Sequence, residues 1–307
     1  MEINKDEVCI FIPTLNEGPT IGGLIGTFRE NGFKHILVID GRSSDNTAEI
    51  AEYAGAKVII QDSKGKGNAI IEAIEYFDRP YILMLDGDGT YLPEEAENML
   101  KPLFEGSQHV IGNRLNNFEK GALSTLNLYG NQVINYLFKV AHGTYLFDIL
   151  SGYRAFDIES IRRMKLKEAG FEIETEMAVE AVRNDQKISV VEISYLKRPG
   201  TETKLHPFKD GAKIISTIFK LARVSNPIFY FGFIGFIIAV LGVLIGIYVV
   251  IDWFASITHT ELAILTVLLI VMGFQIFMFG VIADMLVSFN REMRDEIQRL
   301  RPPNPPM

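Results

Sequence analysis

The sequence predicts an α/β protein: a mostly parallel sheet with helices on both faces, followed by two transmembrane helices. Three observations carry that prediction. Strand-like and helix-like segments alternate through roughly the first 205 residues, polar clusters follow directly on the strand-like runs, and most of the long apolar runs lie beyond Asn226. The strand-like runs are VCIFIPTL, HILVID, AKVIIQ, YILMLDGD and HVIGN, with helix-like segments at Thr20–Asn31, Asp45–Tyr53, Asn68–Phe77 and Pro93–Phe104. Such alternation gives parallel strands joined by helical crossovers. In sheets of that kind a ligand sits beyond the carboxyl ends of the strands.

Composition narrows the classes of function. The chain has 307 residues, 21 of them Phe, and a net charge of −8. It can build a substantial core, but it lacks the basic excess that tracking a nucleic-acid backbone requires. Cys9 is the single cysteine, so neither a disulfide framework nor a thiolate metal site exists, which fits a reducing compartment. The charged start MEINKDEV opens into the first strand with no signal-peptide pattern.

The strand ends carry the chemistry. Pro13-Thr14-Leu15-Asn16-Glu17 follows the first strand, Asp40 to Thr47 the second, Asp86-Gly87-Asp88-Gly89-Thr90 the fourth, and Gly112-Asn113-Arg114 the fifth. Singly, each reads equally well as cap or turn chemistry. Together they converge on one sheet edge. Asp86 and Asp88, one residue apart, suit a shared hard cation, Mg²⁺ or Mn²⁺, that keeps positions open for phosphate oxygens. Lys64-Gly65-Lys66-Gly67 lacks the Ser or Thr of a phosphate-binding loop, which excludes an NTPase. Gly67, just before a helix, still permits close backbone approach to a sugar.

Ile228 to Ile251 and Leu262 to Ala283 carry no charged residue. At about 1.5 Å per residue, each spans a bilayer core. The connecting DWFASITHTE has no Lys or Arg, whereas Lys209, Lys213, Lys220 and Arg223 precede the first span and Arg291, Arg294, Arg299 and Arg301 follow the second. Both long ends are therefore expected on the cytoplasmic side. Residues 206–226 mix cations with Ile214, Ile215, Ile218 and Phe219, as in a membrane-surface helix. The expected layout is a catalytic domain over 1–205, this amphipathic segment, a hairpin over 227–284 and a cytoplasmic tail over 285–307, whose proline-rich end frays. Gly232, Gly235, Gly242 and Gly246 suit close helix contact and permit a homo-oligomer. Leu126 to Leu150 reads either as a second membrane-surface helix or as core packing.

The set IPTLNE, VIDGRSSDNT, LMLDGDGTYLPE, IGNR and SGYRAF resembles the family 2 glycosyltransferases of GT-A (Rossmann-like) fold. Within them it is most similar to the dolichyl- or polyprenyl-phosphate sugar synthases. The resemblance covers Val8 to Lys204. It implies that Pro13, Leu15, Glu17, Val38 and Asp40 line the base and ribose pocket, and that Asp86, Gly87 and Asp88 hold metal and diphosphate. Thr90 takes the place of a further metal ligand, Arg114 holds the acceptor phosphate, and Arg198 and Lys204 lie on a loop closing over the donor. Glu174 and Glu176 fall where hydroxyl-glycosylating relatives place a catalytic carboxylate. The implied partners are a UDP- or GDP-linked sugar, dolichyl or polyprenyl phosphate, and the bilayer. The implied reaction is an inverting displacement at the cytoplasmic face. Two departures stand out: Asp40-Gly41-Arg42-Ser43 replaces the common DDGS, and Leu15 stands where an aromatic often stacks on the base. The competing readings are a transferase acting on a sugar hydroxyl and a catalytically idle membrane scaffold.

Overall fold

The computed structural model describes residues 3–199 and 207–300. The chain forms two compact units, Met1–Ile218 and Phe219–Met307. In the first unit all five expected strands form: β1 (Val8–Thr14), β2 (His35–Asp40), β3 (Lys57–Ile60), β4 (Tyr81–Met84) and β5 (His109–Asn113). The helices between them are α1 (Gly18–Glu30), α2 (Thr47–Tyr53), α3 (Lys66–Ala73) and α4 (Ala96–Phe104). Beyond them come α5 (Thr125–His142), β6 (Arg154–Asp157), α6 (Ile158–Arg163), α7 (Ile173–Arg183) and β7 (Ile188–Glu192).

The seven strands make one sheet in the order β3-β2-β1-β4-β6-β5-β7. All pairs are parallel except those of β6, which runs antiparallel to both β4 and β5. Strand alternation sorts the core into two layers. Val8, Ile10 and Ile12 of β1 pack with Ile21, Ile25 and Phe28 of α1 and with Met99 and Leu103 of α4. Cys9 and Phe11 pack on the other face with Ile70 of α3 and Met177 of α7. Both faces are thus covered, as a largely parallel sheet requires, and the carboxyl ends of β1, β2 and β4 are left to build a site.

α8 (Pro207–Ser225) follows. Of the apolar residues expected on its lipid side, Ile214 and Ile218 are buried and Ile215 is exposed. In the second unit, α9 (Pro227–Phe254) and α10 (Thr260–Leu300) form a hairpin, and both are long and apolar enough to cross a membrane. α10 runs on without a break to Leu300, so residues 285–300 are helical. The tail from Arg301 lies outside the described residues.

The glycines of α9 face α10. A Cβ on Gly235 would stand 2.5 Å from the Gly273 carbonyl oxygen, and one on Gly242 would stand 3.0 Å from Leu269 Cβ. The small-residue face read as permitting self-association is therefore taken up by the chain's own second span.

Candidate active site

A cleft of about 360 Å³ opens at the carboxyl ends of β1, β2 and β4. β1 runs out at Thr14, and the chain turns through Asn16 at φ 52°, a left-handed conformation that asparagine tolerates. That turn places Pro13, Leu15 and Glu17 on the cleft wall. Thr47 Oγ1 accepts from the Glu17 backbone N–H at 2.9 Å, and Ser43 Oγ accepts from the Asn16 N–H at 2.8 Å. The loops after β1 and β2 are thereby locked together.

The loop after β4 brings Asp86, Gly87 and Asp88 to the cleft floor. A Cβ on Gly87 would stand 2.7 Å from Thr14 Cγ2, so only glycine lets this loop lie against β1. Asp88 is fixed from below: Oδ1 accepts from the Thr90 hydroxyl at 2.6 Å and from its backbone N–H at 3.1 Å. Asp88 Oδ2 faces Arg198 at 3.6 Å, and the same Arg198 Nη2 donates to Glu17 at 2.5 Å. Thr90, itself buried, holds Asp88 and is not among the cleft-lining residues.

The central cation is Lys66, which the sequence shows only within a Lys-Gly-Lys-Gly run that is not a phosphate-binding loop. Its Nζ lies 2.5 Å from Asp86 Oδ1 and 2.6 Å from Glu174 Oε1. Burial alone would lower its pKa, but the two carboxylates more than reverse this and hold it above the ordinary lysine value. Its placement depends on the flanking glycines. Gly65 has φ 101°, and a Cβ there would stand 2.3 Å from the Ala169 carbonyl oxygen; a Cβ on Gly67 would stand 2.0 Å from the Glu168 oxygen. The first turn of α3 thus rides directly on backbone 168–169, where the Gly67 N–H donates to Ala169 O at 2.9 Å. Gly67→Ala is expected to lower stability by about 2 kcal/mol or more and to displace Lys66. Thermal unfolding beside a transfer assay checks this, and an unchanged melt would refute the packing.

Arg114 enters from the end of β5. Its Nε and Nη2 donate to Asp148 at 2.7 and 2.9 Å, and its backbone N–H donates to the same carboxylate at 3.1 Å. The guanidinium carbon lies 5.2 Å from the Tyr195 ring centroid, and both residues line the cleft. Burial opposes its charge, yet fully buried Asp148 holds it firmly protonated.

The structure separates the remaining candidates. Glu174 lines the cleft, and its Oε2 has no hydrogen-bond partner among the described residues. Glu176 does not line it: its Oε2 accepts from the backbone N–H groups of Lys167 and Glu168, both at 2.8 Å, and pins that loop. Burial pushes the Glu176 pKa up, against those two donors. Val38, expected at the base pocket, is fully buried in the core layer under α1. Asp40 is buried too, and its carboxylate accepts from the Ser43 N–H at 2.8 Å and the Ser43 hydroxyl at 2.5 Å. It shapes the 41–44 turn instead of lining the cleft. Lys204 lies outside the described residues.

The donor set fits a hard divalent cation. Two carboxylates stand on one short loop in the cleft with no imidazole or thiol among the lining residues, and among the described residues no group of three or more His, Cys, Asp or Glu is placed to hold a metal by itself. Two carboxylates with open positions suit Mg²⁺ or Mn²⁺ completed by phosphate oxygens and water.

A mostly parallel α/β sheet with a carboxylate pair at its carboxyl edge is the arrangement that the resemblance to GT-A glycosyltransferases implies, and comparison with known proteins gives the family. Residues 9–164 match Glycosyl transferase family 2, and the chain belongs to that family. It is 46% identical over 298 residues to glycosyltransferase AglJ of Haloferax volcanii, covering 96% of this chain and 98% of that protein. It is 32% identical over 224 residues to a dolichyl-phosphate hexose transferase of the same organism, covering 72% and 96%. Among solved structures, glucosyl-3-phosphoglycerate synthase of Mycobacterium tuberculosis, in complex with Mn²⁺ and UDP-glucose, superposes with a TM-score of 0.59 at 19% identity, covering 71% of this chain and 79% of that one. The protein is a GT-A glycosyltransferase whose relatives include polyprenyl-phosphate sugar transferases.

Proposed function

We propose that this enzyme transfers a hexose or N-acetylhexosamine from a nucleoside diphosphate sugar to a dolichyl or polyprenyl phosphate, with inversion, at the cytoplasmic membrane face. The observation that carries the reading is the cleft itself. Asp86 is paired with Lys66, and Asp88 lies beside Arg198, in one cavity that Arg114 also lines, in a chain with two apolar spans. Relatives named for dolichyl-phosphate hexose transfer and undecaprenyl-phosphate mannosyl transfer support the acceptor class. The positive-inside charge pattern supports the cytoplasmic face.

Pro13, Leu15 and Glu17 bind the nucleoside. Asp86 and Asp88 would hold a divalent cation, which supplies charge neutralisation to the departing diphosphate. Lys66 and Arg198 add fixed positive charge on the donor side, and Glu174 Oε2 accepts from a donor-sugar hydroxyl. Arg114 orients the acceptor phosphate. A phosphomonoester, with its second pKa near about 6, is largely ionised at neutral pH. Its oxygen therefore attacks the anomeric carbon without a strong general base, and positioning and charge compensation supply the rate.

A sugar-hydroxyl acceptor would need a carboxylate free to take a proton. Glu176 is tied to backbone, so that reading would rest on Glu174 alone, whose Oε1 accepts from the Lys66 ammonium.

The test is transfer in detergent with Mg²⁺ or Mn²⁺ from labelled UDP-glucose, UDP-N-acetylglucosamine or GDP-mannose to dolichyl phosphate. Label entering the organic phase with one donor establishes the reaction and names the sugar. Donor binding without transfer would overturn the acceptor assignment. Asp88→Ala is expected to abolish turnover and, because buried Asp88 accepts from the Thr90 hydroxyl and backbone N–H, to lower stability by about 1–3 kcal/mol. Full wild-type activity in EDTA would remove the metal role.

A further inference from the structure

Arg154 opens β6, which runs antiparallel to both of its neighbours and pairs there with Met84 of β4 and Ile111 of β5. β4 leads into the loop of Asp86 and Asp88, and β5 ends beside Arg114, so Arg154 stands between the two halves of the cleft. It is fully buried, and its three hydrogen-bond partners are neutral. Nη2 donates to the Ile149 carbonyl at 2.6 Å, Nε to the Ser151 carbonyl at 2.9 Å and Nη1 to His109 Nε2 at 3.2 Å. A guanidinium can only donate, so His109 accepts at Nε2 and is neutral. Burial and the neighbouring Arg154 both hold the His109 pKa well below the usual histidine value. Burial also pulls the Arg154 pKa down to about 10, opposed by Glu174 and Asp148, so Arg154 is a cation at neutral pH. Packing alone gives no reason for that charge, since an apolar side chain would fill the same volume without the desolvation penalty.

The charge holds the turn at 148–152. Ile149 and Ser151 turn their carbonyls to it, and the same turn is tied from two other sides. Asn135 Oδ1 of α5 accepts from the Ile149 N–H at 3.0 Å, and Tyr91 Oη accepts from the Gly152 N–H at 3.0 Å. Both sides of the cleft lean on this turn. At one end, Asp148 accepts from Arg114 Nε and Nη2. At the other, Gly152 lies against Asp86, where a Cβ would stand 2.6 Å from Oδ2.

We infer that Arg154 is a positioning residue for the transfer reaction: it clamps the 148–152 turn and so sets where Arg114 stands relative to Asp86. The inference rests on the acceptor role proposed for Arg114. Lysine cannot replace Arg154 in this clamp. An ammonium donates from a single point, whereas Ile149, Ser151 and His109 are reached by the spread edge of a guanidinium.

The test compares full-length wild type, Arg154→Lys, Asp148→Asn and the double variant in detergent, well below their melting temperatures. Arg154→Lys is expected to raise the lipid-phosphate KM and lower kcat by about 10-fold each, together the loss of about 10² that a 1 Å misplacement brings. The donor KM stays unchanged, because Lys66 holds Asp86 independently. In the Asp148→Asn background the same change is expected to add less than about 2-fold to the acceptor KM, since groups acting through one network are not additive. Full additivity overturns the proposal, because Arg154 then acts by another route. A lowered melt with wild-type KM and kcat overturns it too, leaving Arg154 a purely structural group. If Arg154→Lys does not fold, His109→Leu keeps the guanidinium and removes only the partner of Nη1. It is expected to raise the acceptor KM about 3-fold, the scale of one hydrogen bond, and a wild-type KM there counts against the clamp.

Hydrogen exchange supplies a readout that depends on no acceptor. Arg154→Lys is expected to speed exchange in peptides covering Arg114 and residues 148–152, while the peptide covering β1 keeps its protection. Unchanged protection of the turn overturns the clamp. Faster exchange of the turn, with no transfer to dolichyl phosphate even by the wild type, upholds the clamp and faults the proposed acceptor instead.

Discussion

Lys66→Met is expected to slow transfer by about 10²- to 10³-fold, a loss typical of removing a fixed charge from a reacting centre, and at the same time to tighten Mn²⁺ binding. The second effect follows from the same geometry as the first. The ammonium sits 2.5 Å from Asp86 Oδ1, where it occupies one of the carboxylates that would otherwise be shared with a cation. Removing it leaves Asp86 and Asp88 more negative and open, so metal affinity rises. It also leaves Glu174, only 3% exposed, with an uncompensated charge. Breaking one side of such a buried pair costs about 3 kcal/mol, so the melt falls as well. Lys66→Met combined with Glu174→Gln restores most of that stability but not turnover, because the lost positive charge is not replaced. Metal titration, calorimetry and transfer rates on the two variants test this. Unaltered turnover in Lys66→Met would show that the ammonium has no part in the reaction.

The elements legible in the sequence were those with strong local patterns. The five strands from Val8 to Asn113 are apolar runs ending in turn residues, and all form where expected. β6 escaped notice because it is four residues long and begins with Arg154. That arginine is fully buried, donating to the Ile149 and Ser151 carbonyls at 2.6 and 2.9 Å. A charge that belongs to the core through backbone carbonyls leaves no hydrophobic periodicity to read.

Two expected site residues were distinguishable in principle. Side chains two apart on a helix point about 200° away from each other, so Glu174 and Glu176 of α7 cannot face one cleft, and only Glu174 does. Val38 lies inside β2, and side chains on a strand alternate between faces. Its partner layer is the core under α1. Lys66 was visible as Gly-Lys-Gly before a helix. What the sequence could not show is that residues 168–169, about a hundred positions further along the chain, lie against those glycines. The Asp148 partner of Arg114 is likewise 34 residues distant, and no local pattern announces it.

That partnership changes how the proposed acceptor site is tested. Arg114→Ala would strand the fully buried Asp148 carboxylate and cost about 3–5 kcal/mol of stability, so a loss of activity in that variant would report folding as much as binding. Arg114→Lys keeps the positive charge beside Asp148 but gives up the planar fork that serves two anions at once. Its expected signature is a lipid-phosphate KM raised about 10- to 100-fold, the equivalent of one charge-assisted hydrogen bond, with the donor KM unchanged. Asp148→Asn supplies the complementary arm. It releases the Nε and Nη2 edge from a full charge while retaining side-chain volume, so the guanidinium loses its fixed orientation. The acceptor KM then rises although Arg114 is intact. An unchanged acceptor KM in Arg114→Lys, with the fold verified by melting, would place the acceptor phosphate elsewhere in the cleft, where Lys66 and Arg198 are the other lining cations among the described residues.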